Sequence, residues 1–158
     1  MARQVVLWLA VIVIGGVLGA NVYMSAVDAR NWGSNIPTSL NAARAYFSVV
    51  NAGSFFRIAS PLAQVLSLLA LILCWDVPGA RLFAGIALAA NVTGDIMTFT
   101  YFYPRNDIMF VVNPMNAEAA AQAWRGWATM NHVRSALVLA ALLSELATLT
   151  RVAQMTPR

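Results

Sequence analysis

The sequence predicts an all-α integral membrane protein, a four-helix bundle with two longer connections on one side that carry short helices. Apolar stretches at residues 5–27, 58–75, 82–103 and 131–151 each come close to the ~20 residues that a helix needs to cross a bilayer. Hydrophobic residues make up 60% of the chain and charged residues only 10%. Mean hydropathy is +0.68, outside the range of ordinary soluble domains. The spans fill more than half of the 158 residues. Residues 1–158 therefore read as a single transmembrane domain whose function sits in or on the bundle.

Each element has its own signal. Arg3 followed by an apolar run resembles the start of a cleaved signal peptide, but the run is too long for one. Gly15 and Gly19 form a GxxxG pair that lets a neighbouring helix approach, as in a retained first span. In the connection Asp28–Arg57, Ile36-Pro37-Thr38-Ser39 offers Thr38 or Ser39 as cap of a short helix through Leu40–Val50. Val77-Pro78-Gly79-Ala80 is a tight turn, because Pro fixes φ and Gly accepts positive φ, and it pairs spans two and three. Tyr103-Pro104 closes the third span. In the connection Pro104–His132, Asn116 starts a helix over Ala117–Ala123 that runs into span four.

Charge and cysteine content exclude several functions. The net charge of +4 comes from ten Arg spread singly, without the basic stripe that phosphate tracking requires, so nucleic acid is not a partner. Arg3, Arg81, Arg151 and Arg158 gather on the short exposed segments at one end, and by the positive-inside rule that end, with both termini, is cytoplasmic. The lack of any Lys points to a GC-rich bacterial genome, hence to a bacterial inner membrane. Cys74 is the one cysteine, which excludes an intramolecular disulfide, a CxxC redox motif and a cysteine-rich metal cluster.

Antiparallel order brings nearly every polar side chain of the spans to the outer end. Asn21, Ser25 and Asp28 stand at i, i+4 and i+7, as do Asn91, Asp95 and Thr98, and as do Trp127, Asn131 and Arg134, whose face continues through Val138, Ala141 and Glu145. Because an Asp or Arg facing lipid at the helix centre costs ~2.5–3.5 kcal/mol, the stripes should face each other around one pocket. Asp95 and Arg134 either pair structurally or form a working site. Trp8, Trp32, Trp75, Trp124 and Trp127, with Tyr101 and Tyr103, fit an interfacial aromatic belt. The scattered methionines read as packing, and Glu145 as snorkelling towards the inner surface near Arg151. His132, the one histidine, points roughly 160° away from Arg134 on a regular helix. A metal set of Asp28, Asp95 and His132 stays open as an alternative.

Asp28-Ala29-Arg30-Asn31-Trp32, Ser60-Pro61, Pro78-Gly79-Ala80-Arg81, Tyr103-Pro104-Arg105-Asn106 and Trp127-x3-Asn131-His132-x-Arg134, in that order over nearly the whole chain, resemble the anthrone oxygenase-like family. The resemblance implies a small four-helix membrane protein. It further implies, for those members with known chemistry, oxidation of an anthrone to an anthraquinone by O2 without a cofactor. An anthrone is acidified by its aryl ketone, so a base at C10 and a cation or hydrogen-bond donor at the ketone oxygen would produce an anion able to reduce O2, with no metal. His132 or Asp95 is the candidate base, with Arg134 and Asn131 as oxyanion stabilisers. Trp127 and Trp32 would form flat apolar walls, and Asn21, Asn91, Tyr101 and Arg57 further substrate contacts. The partners expected are membrane lipid and a small aromatic or hydrophobic ligand. Two other classes remain: a non-enzymatic lipid- or quinone-binding or transport-assisting protein, and a metal-dependent redox protein.

Overall fold

The computed structural model describes residues 2–155, and Arg158 lies outside them. The chain forms helices α1 (Ala2–Trp32), α2 (Thr38–Tyr46), α3 (Ala52–Leu73), α4 (Ala80–Val111) and α5 (Ala117–Gln154), with no strand among the described residues. Four of them, all but α2, are long and apolar enough to cross a membrane. The protein is a small integral membrane helical bundle. Each spanning helix packs on two neighbours, α1 and α4 both touching α3 and α5, which leaves α1/α4 and α3/α5 as the diagonals.

The helices differ in length, and that difference shapes one end. At 1.5 Å per residue α3 is roughly 33 Å long, close to the ~30 Å hydrocarbon core, whereas α5 reaches roughly 57 Å. The ends of α1, α4 and α5 therefore project past the start of α3, and α2 lies over the corner that α3 leaves open; this is the cap end. Trp32, Leu40, Ala43, Phe102, Met109, Ala120 and Trp127 form its core. At the opposite, turn end, Leu7, Ala70, Cys74, Val77, Ala80 and Val152 close the bundle. There Gly79 takes φ +79°, as the Pro-Gly signal requires, and Arg3 pairs with Asp76 at 2.7 Å.

Several boundaries differ from the sequence reading. Asn116 caps α5 as expected, its side-chain Oδ1 accepting from the Ala119 N–H at 3.0 Å. Because α4 also runs on to Val111, the second connection shrinks to residues 112–116 and carries no separate helix. Pro104 does not end α4. It falls just after the π turn Thr98–Phe102, in the first turn of a renewed α segment, where a missing N–H is least costly. α2 stops at Tyr46 rather than Val50, and Ser39 does not cap it. Its hydroxyl donates instead to the Trp32 carbonyl at 2.5 Å, tying α2 to the end of α1. The Gly15/Gly19 pair seats no helix of this chain: a Cβ at either position would meet nothing within 4 Å.

Candidate functional site

The cap half encloses a cavity of about 470 Å³ between all four spanning helices and α2. Its walls are aromatic: Trp32 from α1, Phe47 just past the end of α2, Phe56 from α3, Phe99, Phe102 and Phe110 from α4, and Trp127 from α5. The rings support one another edge to face. Trp127 meets Trp32 at 5.2 Å and Phe102 at 5.7 Å between centroids, and Trp32 meets Phe110 at 5.0 Å. Such contacts fix the rings as plane walls rather than loose filling.

Polar groups enter this apolar box from all four spanning helices. Asn91, Asp95 and Thr98 line it from α4, as their i, i+4, i+7 spacing dictates. Asp95 accepts a hydrogen bond from Gln64 Nε2 of α3. Arg134 of α5 is buried, and its guanidinium carbon lies 4.1 Å from the Phe102 ring centre, 5.5 Å from Phe56 and 5.9 Å from Trp127. A cation held against ring faces is electrostatically favoured where water is scarce. Asn131 sits behind it, donating to the Asn21 carbonyl at 3.1 Å and to Ser25 Oγ at 2.6 Å while its Oδ1 accepts from Arg134 Nη2 at 2.5 Å. This buried amide locks α5 to α1 and aims the guanidinium.

Arg134 and Asp95 share the cavity but stand apart. The one ion pair within 4.0 Å among the described residues is Arg3–Asp76, far from this site. Arg134 Nε and both side-chain amide atoms of Asn21, which is 1% exposed, have no protein partner. An unmet buried donor or acceptor costs ~1–3 kcal/mol. These atoms are the groups that a ligand in the cavity can satisfy.

The structure regroups the sequence candidates. Asp95, Arg134, Asn21, Asn91, Trp127 and Trp32 line the cavity, Arg57 stands exposed at its mouth, and Asn131 acts from behind. His132 is on the exposed face of α5 and does not reach the cavity; an unbroken helix keeps it on the far side from Arg134. The Asp28, Asp95, His132 metal set is accordingly not gathered, and no group of three His, Cys, Asp or Glu suited to a metal occurs among the described residues. Tyr101 is also displaced: it packs under the Arg105 guanidinium at 3.4 Å and beside Gly126, and Phe102 takes the wall position.

Wider turns explain the altered registers. π turns occur at Met24–Asp28, Thr98–Phe102 and Asp107–Val111, all at the cap end. The first sends Ser25 towards Asn131 and Met24 with Asp28 into the cavity, splitting the Asn21/Ser25/Asp28 stripe. Trp32 and Trp127 are core residues and Trp124 donates to the Ala29 carbonyl at 2.7 Å, so these three do not belong to a belt, unlike the exposed Trp8 and Trp75. Glu145 does not snorkel. It is 0% exposed, continues the Arg134 face inwards, and neither carboxylate oxygen has a hydrogen-bond partner. Phe56, Gln64, Phe102 and Arg44 complete the site and were missed; Ser60, Gln64 and Ser67 at i, i+4 and i+7 were the available signal on α3.

Compared with protein-family models, with curated proteins and with solved structures, the chain matches none. What fold and site define is a small integral membrane bundle with an aromatic-walled, polar-pointed cavity in one half.

Proposed function

We propose that the chain is a cofactor-independent oxygenase for an anthrone-like aromatic substrate, with its turn end in the cytoplasm and its cap end facing outwards. One observation carries this reading: Asp95 and the ring-caged Arg134 enter the same aromatic box without pairing to each other. A flat ketone lying between Trp127, Phe102 and Phe56 would put its oxygen at Arg134 Nε and Asn21 Nδ2, whose unpartnered N–H groups suit an oxyanion. Asp95, oriented by Gln64, is then the base for C10–H. His132 drops out of that role because it faces away.

The reaction balances without a further reductant. Asp95 takes the C10 proton, and the carbanion, its charge spread onto the ketone oxygen, transfers one electron to O2. The carbon radical and superoxide combine to a C10 hydroperoxide, with Asp95 returning the proton. Loss of water from the hydroperoxide forms the second carbonyl, so anthrone and O2 become anthraquinone and water. What the protein supplies is charge stabilisation and exclusion of bulk water.

The test is anthrone added to protein in phosphatidylcholine vesicles, followed by O2 uptake and anthraquinone absorbance. Stoichiometric, protein-dependent conversion supports the reading. Binding of anthrone by quenching of Trp32 and Trp127 fluorescence without turnover would favour a quinone- or lipid-binding protein, and neither binding nor turnover would overturn the aromatic-ligand reading altogether.

A further inference from the structure

The cavity is closed on most sides. Towards the turn end its floor is Val17, Ala63 and Val138, part of a buried apolar cluster. Above it α2 is clamped down by Arg44, whose Nε donates to the Met109 carbonyl at 2.9 Å and Nη2 to the Val112 carbonyl at 3.0 Å, and by Ser39 on the end of α1. The α1/α5 side is sealed by Asn131 and the Trp32–Trp127 pair. One flank is left. α3 and α4 pack together along Ala80–Met97 and part beyond it, at the π turn Thr98–Phe102.

Cavity-lining residues reach the molecular surface at that flank. Phe99 is 61% and Tyr103 42% exposed, and both line the cavity opposite Arg57 and Pro61 of α3. Their exposed neighbours are the apolar Ile58 and Ile96, so the lip belongs to the lipid-facing belt. Depth agrees. Since α3 is about as long as the hydrocarbon core is thick, Arg57 and Pro61 lie one to three turns below its cap end, within the slab or at its edge.

We propose that the cavity is loaded sideways, through this α3/α4 portal, by an uncharged flat aromatic molecule dissolved in the bilayer rather than by a solute from water. The occupant's chemistry rests on the aromatic-substrate reading above, whereas the portal itself rests on the lip. An apolar molecule enriched in the membrane would meet Phe99 and Tyr103 first, slide past Arg57 with its ring in hydrocarbon, and turn its polar edge to Arg134 and Asn21 only inside. The Arg44 and Ser39 clamps on α2 oppose entry from the cap end.

Thiol labelling in phosphatidylcholine vesicles tests this without any ligand. The parent, whose Cys74 is fully buried, is the blank. Ser60→Cys places a near-isosteric thiol in the cavity, Thr98→Cys a second one should the first not fold, and Ser48→Cys gives an exposed reference on the connection after α2. Lipid-soluble pyrene maleimide should outpace a trimethylammonium methanethiosulfonate at the cavity thiol, relative to the reference, by roughly tenfold or more, because a fixed charge does not enter hydrocarbon. Adding Phe99→Trp should slow the pyrene reagent severalfold at Ser60→Cys and leave Ser48→Cys unchanged. Equal relative rates for the two reagents, no labelling of either cavity thiol, or indifference to Phe99→Trp would overturn the portal. Portal labelling combined with failure to bind anthrone would remove the aromatic occupant and retain the route.

Discussion

Towards the turn end the helices meet through Ala10, Ala70, Ala80, Ala84, Ala87 and Ala141, all fully buried, whereas in the cap half Trp32, Phe56, Phe102, Phe110 and Trp127 hold them apart. Small residues let backbones approach and leave no room between them. Rings stacked edge to face around a centre do the reverse, since they support each other while facing a void. The contrast extends to polar groups. In the cap half the unpartnered atoms, Arg134 Nε and the Asn21 amide, face a cavity that a ligand can fill, but in the turn half both Glu145 oxygens are unpartnered in a closed core. Function in a bundle this small follows from which half is allowed to stay open.

The largest effects should fall on the open half. Asp95→Asn is expected to lower anthrone turnover by ~10²–10⁴-fold, the range for loss of a general base, with the helical content and thermal transition of the parent kept. Arg134→Gln should do the same, and the double variant should not recover. A double variant restored in both stability and turnover would turn Asp95 and Arg134 into scaffolding and erase the distinction between the halves. Next in size, Trp127→Ala should cost ~3–5 kcal/mol of stability in lipid, since it removes a buried ring on which Trp32 and Phe102 lean.

A change of opposite sign is expected in the closed half. Glu145→Leu should stabilise by ~1–3 kcal/mol by removing an unsatisfied buried carboxyl, with anthrone binding unaffected. Lost binding would mean that the contact chain from Asn91 through Ser67, 3.1 Å apart, joins Glu145 to the cavity, and the two halves would have to be read as one site. The smallest effect belongs to the surface. Arg3 holds the exposed Asp76 carboxyl below its ordinary value of 3.8, chiefly through hydrogen bonding. A lowered carboxylate contributes stability above that value and loses it as pH falls through the folded one. The melting difference between parent and Arg3→Gln should therefore be small at neutral pH and vanish in strong acid, and a difference that grows in acid would contradict the pair.

Regular periodicity was the legible part. Four spans, the Gly79 turn, the Asn116 cap and the placing of Asp95 and Asn91 on one face of a helix all follow from hydropathy, turn chemistry and a 3.6-residue repeat. Trp127 and Arg134 share a wall for the same reason, and that repeat also keeps His132 off it. Departures from the repeat were not legible. Nothing in Thr98–Phe102 announces a π turn, so a regular repeat puts Tyr101 where Phe102 stands and makes Pro104 an end that the wider turn renders unnecessary. Tryptophan spacing cannot separate a belt from a core when helices continue beyond the bilayer, which is why Trp32 and Trp124 were misplaced. Burial of Glu145 follows from the Arg134 stripe that it continues, against which the snorkelling reading fails.

The π turns also set how the chain tolerates change in length. A π turn takes up one residue more than an α turn, so removing one residue from Met24–Asp28 would return α1 to ordinary i→i+4 bonding and leave the helix beyond it in its present direction. Trp32 would keep its place in the box and Ser39 its carbonyl, while the residues within the turn, Ser25 on Asn131 among them, would change direction. An equal deletion in Thr98–Phe102 ahead of Phe102 would likewise keep Phe102 on the wall and Tyr103 at the lip. For this fold a codon lost inside a wide turn is absorbed, whereas one lost in the regular stretches between them would rotate all that follows by about 100° and dismantle the chamber.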